Sequence, residues 1–371
     1  MTRHLVTGAT GFIGGALVLE LLAATGDDVV CLVRAPDAET AGARLRAGLE
    51  AAAEAYGRPA AAAVRERCVA VPGDVGAVDA VDLAATGRCR TVWHAAASLR
   101  YLQRDAKEIL ATNVDGTRQV LDLAARVGAE TFHHVSTAYV AGRRTGLVRE
   151  EPVAGDTPVH NLYERSKIEA EALVLADDRM RTRVLRPSIV IGHGETYATF
   201  SSTGLYGAFV QFEVFRERVR ERLGAYLTHY RAQIAADPAS ELNAIPVDIV
   251  ARNAVRIGLS DSPARIFHLT NSRGPTVEDG AVAAFTALGM NAPELVPSKA
   301  TFSALDRALD RGIDFFASYM KSSRTFDRTN AEAVCGEGAF AYPLDRALLE
   351  RFGNWFLEHV ERTPSRARRT A

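Results

Sequence analysis

Thr7-Gly8-Ala9-Thr10-Gly11-Phe12-Ile13-Gly14 is the stretch that decides the fold. Its glycines stand at 8, 11 and 14. The apolar run His4–Thr7 precedes it, and Phe12–Ala24 follows with Ile13, Leu17, Leu21 and Leu22 at helical spacing. Such glycine spacing alone is weak; a place between a strand and a helix gives it meaning. Glycine there permits a tight turn, a close approach of backbone to a pyrophosphate, and close helix–strand packing. The helix start adds unpaired N–H groups and the positive end of a dipole. Thr7, Gly8, Thr10, Gly11, Phe12, Ile13 and Gly14 are therefore candidate dinucleotide contacts.

Outward from this turn, apolar runs alternate with helical stretches. Val29–Val33, Cys68–Val71, Thr91–Ala95, Thr131–Ser136 and Val184–Arg186 read as buried strands. Residues 38–56, 113–127 and 161–177 read as helices. That alternation predicts right-handed βαβ units and an α/β, Rossmann-type, doubly wound parallel sheet. Residues 1–192 are expected to hold the dinucleotide site and the catalytic residues. Residues 193–362 are expected to form a smaller, mainly helical substrate region, with a return to the sheet near 243–270. Within it, 205–235 reads as one long helical stretch, and 276–371 as further helices with few strand signals. Residues 363–371 read as a flexible basic tail.

Lys plus Arg is 44 and Asp plus Glu is 45 over 371 residues, a formal charge of -1. So even a balance gives no reason to expect nucleic acid or a membrane surface as partner. No stretch approaches the roughly 20 apolar residues of a membrane helix. No signal peptide is expected, because residues 1–6 run straight into the first strand; the cytoplasm is the expected location. Cys31, Cys68, Cys89 and Cys335 show no metal-site spacing, and no metal is expected.

The tip of the second strand bears on which dinucleotide binds. An NAD site usually places an acid there to hold the ribose hydroxyls. Here the strand ends in Val33-Arg34, and a guanidinium suits a 2′-phosphate. Arg44 can return from the next helix as a second clamp. Asp74 and Val75 follow the third strand, beside the adenine position. Ala95, Ala96 and Ala97 follow the fourth and leave room for a cofactor over the strand ends.

Tyr163 and Lys167 stand four apart on a predicted helix and so share a face. A phenol titrates near 10, and a neighbouring ammonium favours its ionised form. That pairing suits proton transfer at a carbonyl. Ser136 and Thr137, at the end of the fifth strand, are both candidate hydroxyls for the same carbonyl, but alternation points them to opposite faces. The same rule separates His133 from His134. Asn113 reads as the N-cap of the helix after the fourth strand and as a candidate in a relay that includes Lys167.

Together TGATGFIG (7–14), GDV (73–75), HAAA (94–97), TNVDGT (112–117), VSTAY (135–139), YERSK (163–167) and LRPSIVIG (185–192) resemble the extended short-chain dehydrogenases/reductases. CLVR (31–34), VSTAYV, Asn243-Ala244-Ile245-Pro246-Val247-Asp248 and the later Tyr319, Phe326-Asp327 and Asn330 resemble the fatty-acyl reductase/male-sterility group, which includes thioester-reductase domains. The resemblance implies a Thr137/Tyr163/Lys167 triad, NADPH lying near Pro187-Ser188, and reduction of an acyl thioester to an aldehyde or alcohol. It also implies a small-molecule substrate carried on coenzyme A or an acyl carrier protein, because the chain shows no adenylation or carrier segment. An extended reductase acting on a free ketone or aldehyde is the alternative. A non-catalytic NADP(H) sensor is a further one, though such proteins often lose the Tyr/Lys pair.

Overall fold

The computed structural model describes residues 2–224, 229–317, 319–320 and 324–360; the predicted basic tail at 363–371 lies outside the described residues. The first half runs β1 (Arg3–Thr7), α1 (Phe12–Ala24), β2 (Asp28–Val33), α2 (Ala38–Ala55), α3 (Ala61–Arg67), β3 (Cys68–Pro72), α4 (Leu83–Thr86), β4 (Thr91–His94), α5 (Ala106–Leu110), α6 (Gly116–Arg126) and β5 (Thr131–Val135). Then come β6 (Gly146–Val148), α7 (Leu162–Ala176), β7 (Arg181–Pro187), β8 (Ile189–Ile191), α8 (Leu205–Leu223), β9 (Gln233–Ala235), β10 (Ala244–Pro246), α9 (Val247–Leu259) and β11 (Ile266–Leu269). The last stretch holds α10 (Val277–Ala287), β12 (Glu294–Val296), α11 (Ala304–Gly312), α12 (Asp314–Ala317), β13 (Arg324–Phe326), α13 (Thr329–Cys335) and α14 (Arg346–Val360).

Seven strands form one parallel sheet in the order β11-β7-β5-β4-β1-β2-β3. The order reverses direction between β1 and β4, which opens a crevice at the carboxyl ends of the strands. Most central strand residues are buried on both faces because helices pack on both sides of the sheet. On one side α1 is buried from Gly14 to Leu22, since α2 and α9 both pack on it. Gly258 of α9 lies flat against Trp93; a Cβ there would come within 2.1 Å of the indole. Val250, Ile257 and Phe267 share one core with Val6 and Leu17, so the C-terminal region closes the first half's own core.

The expected return to the sheet is β11, in register with β7 from Ile266↔Val184 to Leu269↔Pro187. It is the edge strand, and side chains finish its outer edge. Glu150 accepts from the His268 N–H at 2.7 Å, and the Asn330 amide donates to the Ile266 carbonyl at 3.1 Å. Glu150 also accepts from the Asn330 N–H.

Two expectations are corrected. The stretch 205–235 is not one helix: α8 stops at Leu223, where Gly224 takes a φ of +54° that ends it, and Gln233–Ala235 pairs with β12. Asn113 is not an N-cap. The helix already starts at Ala106 and passes through a π-helical turn, Ala111–Asp115, into α6. A π turn inserts one residue and turns a side chain away from its α-helical direction. Here it delivers the Asn113 amide to the loop after β4.

Candidate active site

The glycine turn presses on the end of β4. Gly8 has φ +75°, and a Cβ on it would lie 2.6 Å from the Ala96 nitrogen. A Cβ on Gly14 would lie 2.1 Å from the Gly8 carbonyl oxygen. The turn is closed by Gly11 N–H donating to that same oxygen at 2.8 Å. Thr10 and Gly11 form the exposed crest, while Phe12 and Ile13 are half-buried against the core. Gly11 offers α1 no side-chain cap, and the first turn of α1 carries no acid. The amide donors of this helix start are thus left for an anion. This cradle fits a pyrophosphate and excludes larger side chains.

At the tip of β2, Arg34 extends into solvent, 80% exposed, with its guanidinium 4.0 Å from Asp74. Arg44 returns from α2 and donates to the Arg34 carbonyl at 2.9 Å. Asp74 uses its other oxygen to accept from the Gly76 N–H at 2.8 Å, while Val75 packs against Gly116 of α6. Two guanidinium-bearing residues and one carboxylate therefore meet where the second and third strands end.

Beneath the turn runs a buried polar chain. Thr7 Oγ1 meets His94 Nδ1 at 2.7 Å, and His94 Nε2 meets Thr117 Oγ1 at 3.1 Å. Thr117 donates onward to the Asn113 carbonyl at 2.7 Å, so its oxygen can only accept from the ring. His94 then carries its proton on Nε2, and Nδ1 accepts from Thr7. Burial, helped by the Lys167 charge, pushes His94 down to about 3 and keeps it neutral. The Asn113 amide holds the Ser98 N–H and carbonyl at 2.7 and 3.0 Å and donates to Ser166 Oγ at 2.9 Å. Ser166 in turn donates to the Tyr163 carbonyl at 2.8 Å. Asn113 thus fixes the loop after Ala95, Ala96 and Ala97 to the helix that bears Tyr163.

Lys167 is 1% exposed. Its ammonium donates to the Val135 carbonyl at 2.9 Å and meets His134 Nε2 at 3.0 Å. Burial brings it down to about 8, opposed by the Glu171 carboxylate. The expected lowering of Tyr163 by this ammonium is corrected: burial pushes the phenol well up, and the Glu164 charge adds to it. Lys167 points instead at the end of β5. His133 and His134 face opposite ways, as alternation predicts: His133 packs on Trp93 with ring centroids 4.2 Å apart.

At that strand end Thr137 Oγ1 accepts from the Tyr139 N–H at 3.2 Å, which leaves its own proton to donate. Ser136 and Ser188 are buried hydroxyls with no partner among the described residues. Ser188 follows Pro187, the last residue of β7, and its N–H donates to the Leu269 carbonyl at 3.3 Å. The later residues also come back here. Tyr319 donates to Glu164 at 3.0 Å and meets the Tyr139 ring edge-on at 4.5 Å. Phe326 packs against Tyr139, and the Asp327 carbonyl lies 2.7 Å from His268 Nδ1. Sequence reasoning assigned no role to His134, Thr117, Ser166 or Glu150. Only the TNVDGT and YERSK motifs carried a signal for Thr117 and Ser166.

A glycine turn after β1, and a Tyr/Lys pair on the helix after β5 whose lysine is tied to that strand's end, are the features the extended short-chain resemblance implied. The chain belongs to the family described as male sterility protein, whose model matches residues 6–254. It is 37% identical over 180 residues to an isonitrile lipopeptide synthase of Streptomyces coeruleorubidus, covering 46% of this chain and 12% of the synthase. It is 31% identical over 164 residues to an alcohol-forming fatty acyl-CoA reductase of Simmondsia chinensis, covering 40% of this chain and 33% of that enzyme. Its fold is similar to the terminal R domain of the myxalamid PKS-NRPS pathway, with TM-score 0.72 at 23% identity over 97% of this chain and 91% of that one. The chain thus spans a third or less of the two curated relatives.

Proposed function

We propose that this protein uses NADPH to reduce an acyl thioester, held on coenzyme A or a carrier protein, to an aldehyde or onward to an alcohol. The observation that carries the chemistry is Lys167: its ammonium is enclosed, tied to the end of β5, and one helical turn from Tyr163. The likeness to a fatty acyl-CoA reductase and a lipopeptide synthase supports the thioester as substrate. We assign residues 1–192 to dinucleotide binding and catalysis and 193–362 mainly to the substrate.

NADPH, when bound, supplies the hydride. Gly8, Gly11, Gly14 and the start of α1 would hold its pyrophosphate, with Thr7, Thr10, Phe12 and Ile13 shaping the turn. Arg34 and Arg44 would favour a 2′-phosphate, and Asp74 and Val75 would lie beside the adenine. Ala95, Ala96 and Ala97 would leave room for it over β4, Asn113 holds the loop that follows them, and Pro187 and Ser188 would lie beside the nicotinamide. Thr137 and Tyr163 donate to the thioester carbonyl oxygen and stabilise the negative charge it gains as carbon becomes tetrahedral. The C–S bond then breaks, the thiol departs with a proton, and the aldehyde remains. Lys167 would hold a ribose hydroxyl and support proton delivery through Tyr163.

The test is NADPH oxidation against a panel of acyl-CoA thioesters and the matching free aldehydes and ketones, with NADH in parallel. Thioester turnover with release of free thiol is the expected result. Turnover of free carbonyls alone overturns the thioester assignment.

A further inference from the structure

Lys167 is enclosed, yet no carboxylate accepts a hydrogen bond from it among the described residues. Enclosed ammonium groups are ordinarily paired with one. Its acceptors here are a carbonyl and a ring nitrogen, from the last two residues of β5. The strand continues directly into Ser136 and Thr137. An imidazole nitrogen that accepts from an ammonium carries no proton, so His134 must hold its proton on Nδ1. That Nδ1 is buried and has no partner among the described residues. An unpaired buried donor costs stability, and such costs concentrate where function needs them. An apolar ring would avoid the cost but would leave the ammonium one acceptor short.

The other charged or titratable neighbours are few. His94 of β4 has its ring 5.3 Å from that of His134 and is committed to Thr7 and Thr117. Glu171, one turn further along α7, acts on Lys167 through space but is paired with Arg186 at 2.7 and 3.0 Å. Burial holds both imidazoles neutral. His134 is therefore the one side chain in the described structure that hydrogen-bonds Lys167.

We propose that His134 is a positioning residue for Tyr163 and Lys167: its Nε2 fixes the ammonium at the end of β5 and leaves the remaining N–H for a bound ligand. An ammonium has three donors; the two held from the β5 side set the direction of the third. The inference rests on the reading of Lys167 as an ammonium that serves the reaction.

The experiment compares the wild type with His134→Gln and His134→Leu. In the wild type, long-range nitrogen–proton NMR of the histidines, with His134 identified by its loss in His134→Gln, is expected to show protonated Nδ1 and bare Nε2. A proton on Nε2 overturns the proposal. Turnover is then followed against pH. Losing one hydrogen bond to a charged group corresponds to roughly one to two pH units. The high-pH limb of His134→Leu is thus expected to move down by that much, with kcat falling more than KM rises. His134→Gln, which keeps an accepting oxygen, is expected to recover most of the profile. An unmoved limb in His134→Leu, or equal loss in both variants, overturns the proposal. If the wild type turns over no thioester, the assignment of function fails while the imidazole spectrum still decides the role of His134. If His134→Leu does not fold, the spectrum and His134→Gln decide it.

Discussion

Replacing Arg34 with alanine is the perturbation that most directly separates NADPH from NADH. The side chain is 80% exposed and lies 4.0 Å from Asp74, so no strong internal bond holds it back. A hydrogen bond between charged groups is worth roughly 1.5–3 kcal/mol when formed well. Water screens an exposed guanidinium, which keeps the figure near the low end, about 1.5–2 kcal/mol. That is a loss of roughly 10- to 30-fold in NADPH affinity. NADH lacks the 2′-phosphate and is expected to change by less than about twofold on the same reasoning. Arg44→Ala is expected to cost less for NADPH and a little for NADH, because Arg44 also holds the Arg34 carbonyl at 2.9 Å. Asp74→Asn, which removes the competing charge, is expected to tighten NADPH modestly. Titrating both cofactors by fluorescence at two salt concentrations measures all of this, since the Debye length near 0.15 M is about 8 Å and an exposed contact weakens with salt. Equal losses for NADPH and NADH in Arg34→Ala refute the reasoning and move the 2′-phosphate elsewhere.

Four further outcomes are expected, three from the site and one from the β11 edge. Lys167 is brought down to about 8 by burial, and its ammonium form exists below that value; turnover is expected to be lost as pH rises through about 8, and a flat profile up to the pH of ordinary lysine titration counts against its role. Thr137→Ala removes both a donor to the carbonyl and the acceptor for the Tyr139 N–H, so a rate loss of about 10²-fold or more with about 1 kcal/mol of stability is expected. Ser136→Ala removes a hydroxyl that has no partner among the described residues and is expected to leave stability nearly unchanged; larger rate loss in Ser136→Ala than in Thr137→Ala would reverse the assignment. Glu150 is pushed up to about 7, chiefly by burial. The native protein then binds a proton there at pH values where the unfolded chain does not. Its contribution to stability falls as pH rises from about 4.5 to about 7. Thermal unfolding against pH is expected to show that slope, and Glu150→Gln to lose it; a slope unchanged in the variant removes Glu150 as its source.

The central sheet was legible because short runs bounded by turns alternate with helical stretches, most plainly where the run is wholly apolar, as in Val29–Val33. The strands β6, β8, β9, β10, β12 and β13 were not, since three residues are too few to show an alternation. The break after Leu223 depends on Gly224 adopting a positive φ, and amphipathic spacing on both sides hid it. The glycine turn and the Tyr163/Lys167 pair are local in sequence and so visible there. The partners of Lys167 and His94 come from separate strands and helices, and no spacing encodes them. The direction of the Tyr163 shift was misjudged for a related reason. Charge proximity can be guessed from a four-residue spacing, whereas burial depends on the whole fold.

The finish of the β11 edge bears on how this protein can be cut. Ile266–Leu269 is fully buried, and its outer backbone groups are met by Glu150 and Asn330, which stand 180 residues apart. A fragment that ends before β13 would keep the strand but lose Asn330. It would then present an apolar ribbon with an unsatisfied carbonyl and a loosened Glu150, the kind of template on which neighbouring molecules add strands. Truncated forms of this chain are therefore expected to precipitate or form fibrils rather than to yield a small soluble dinucleotide-binding unit.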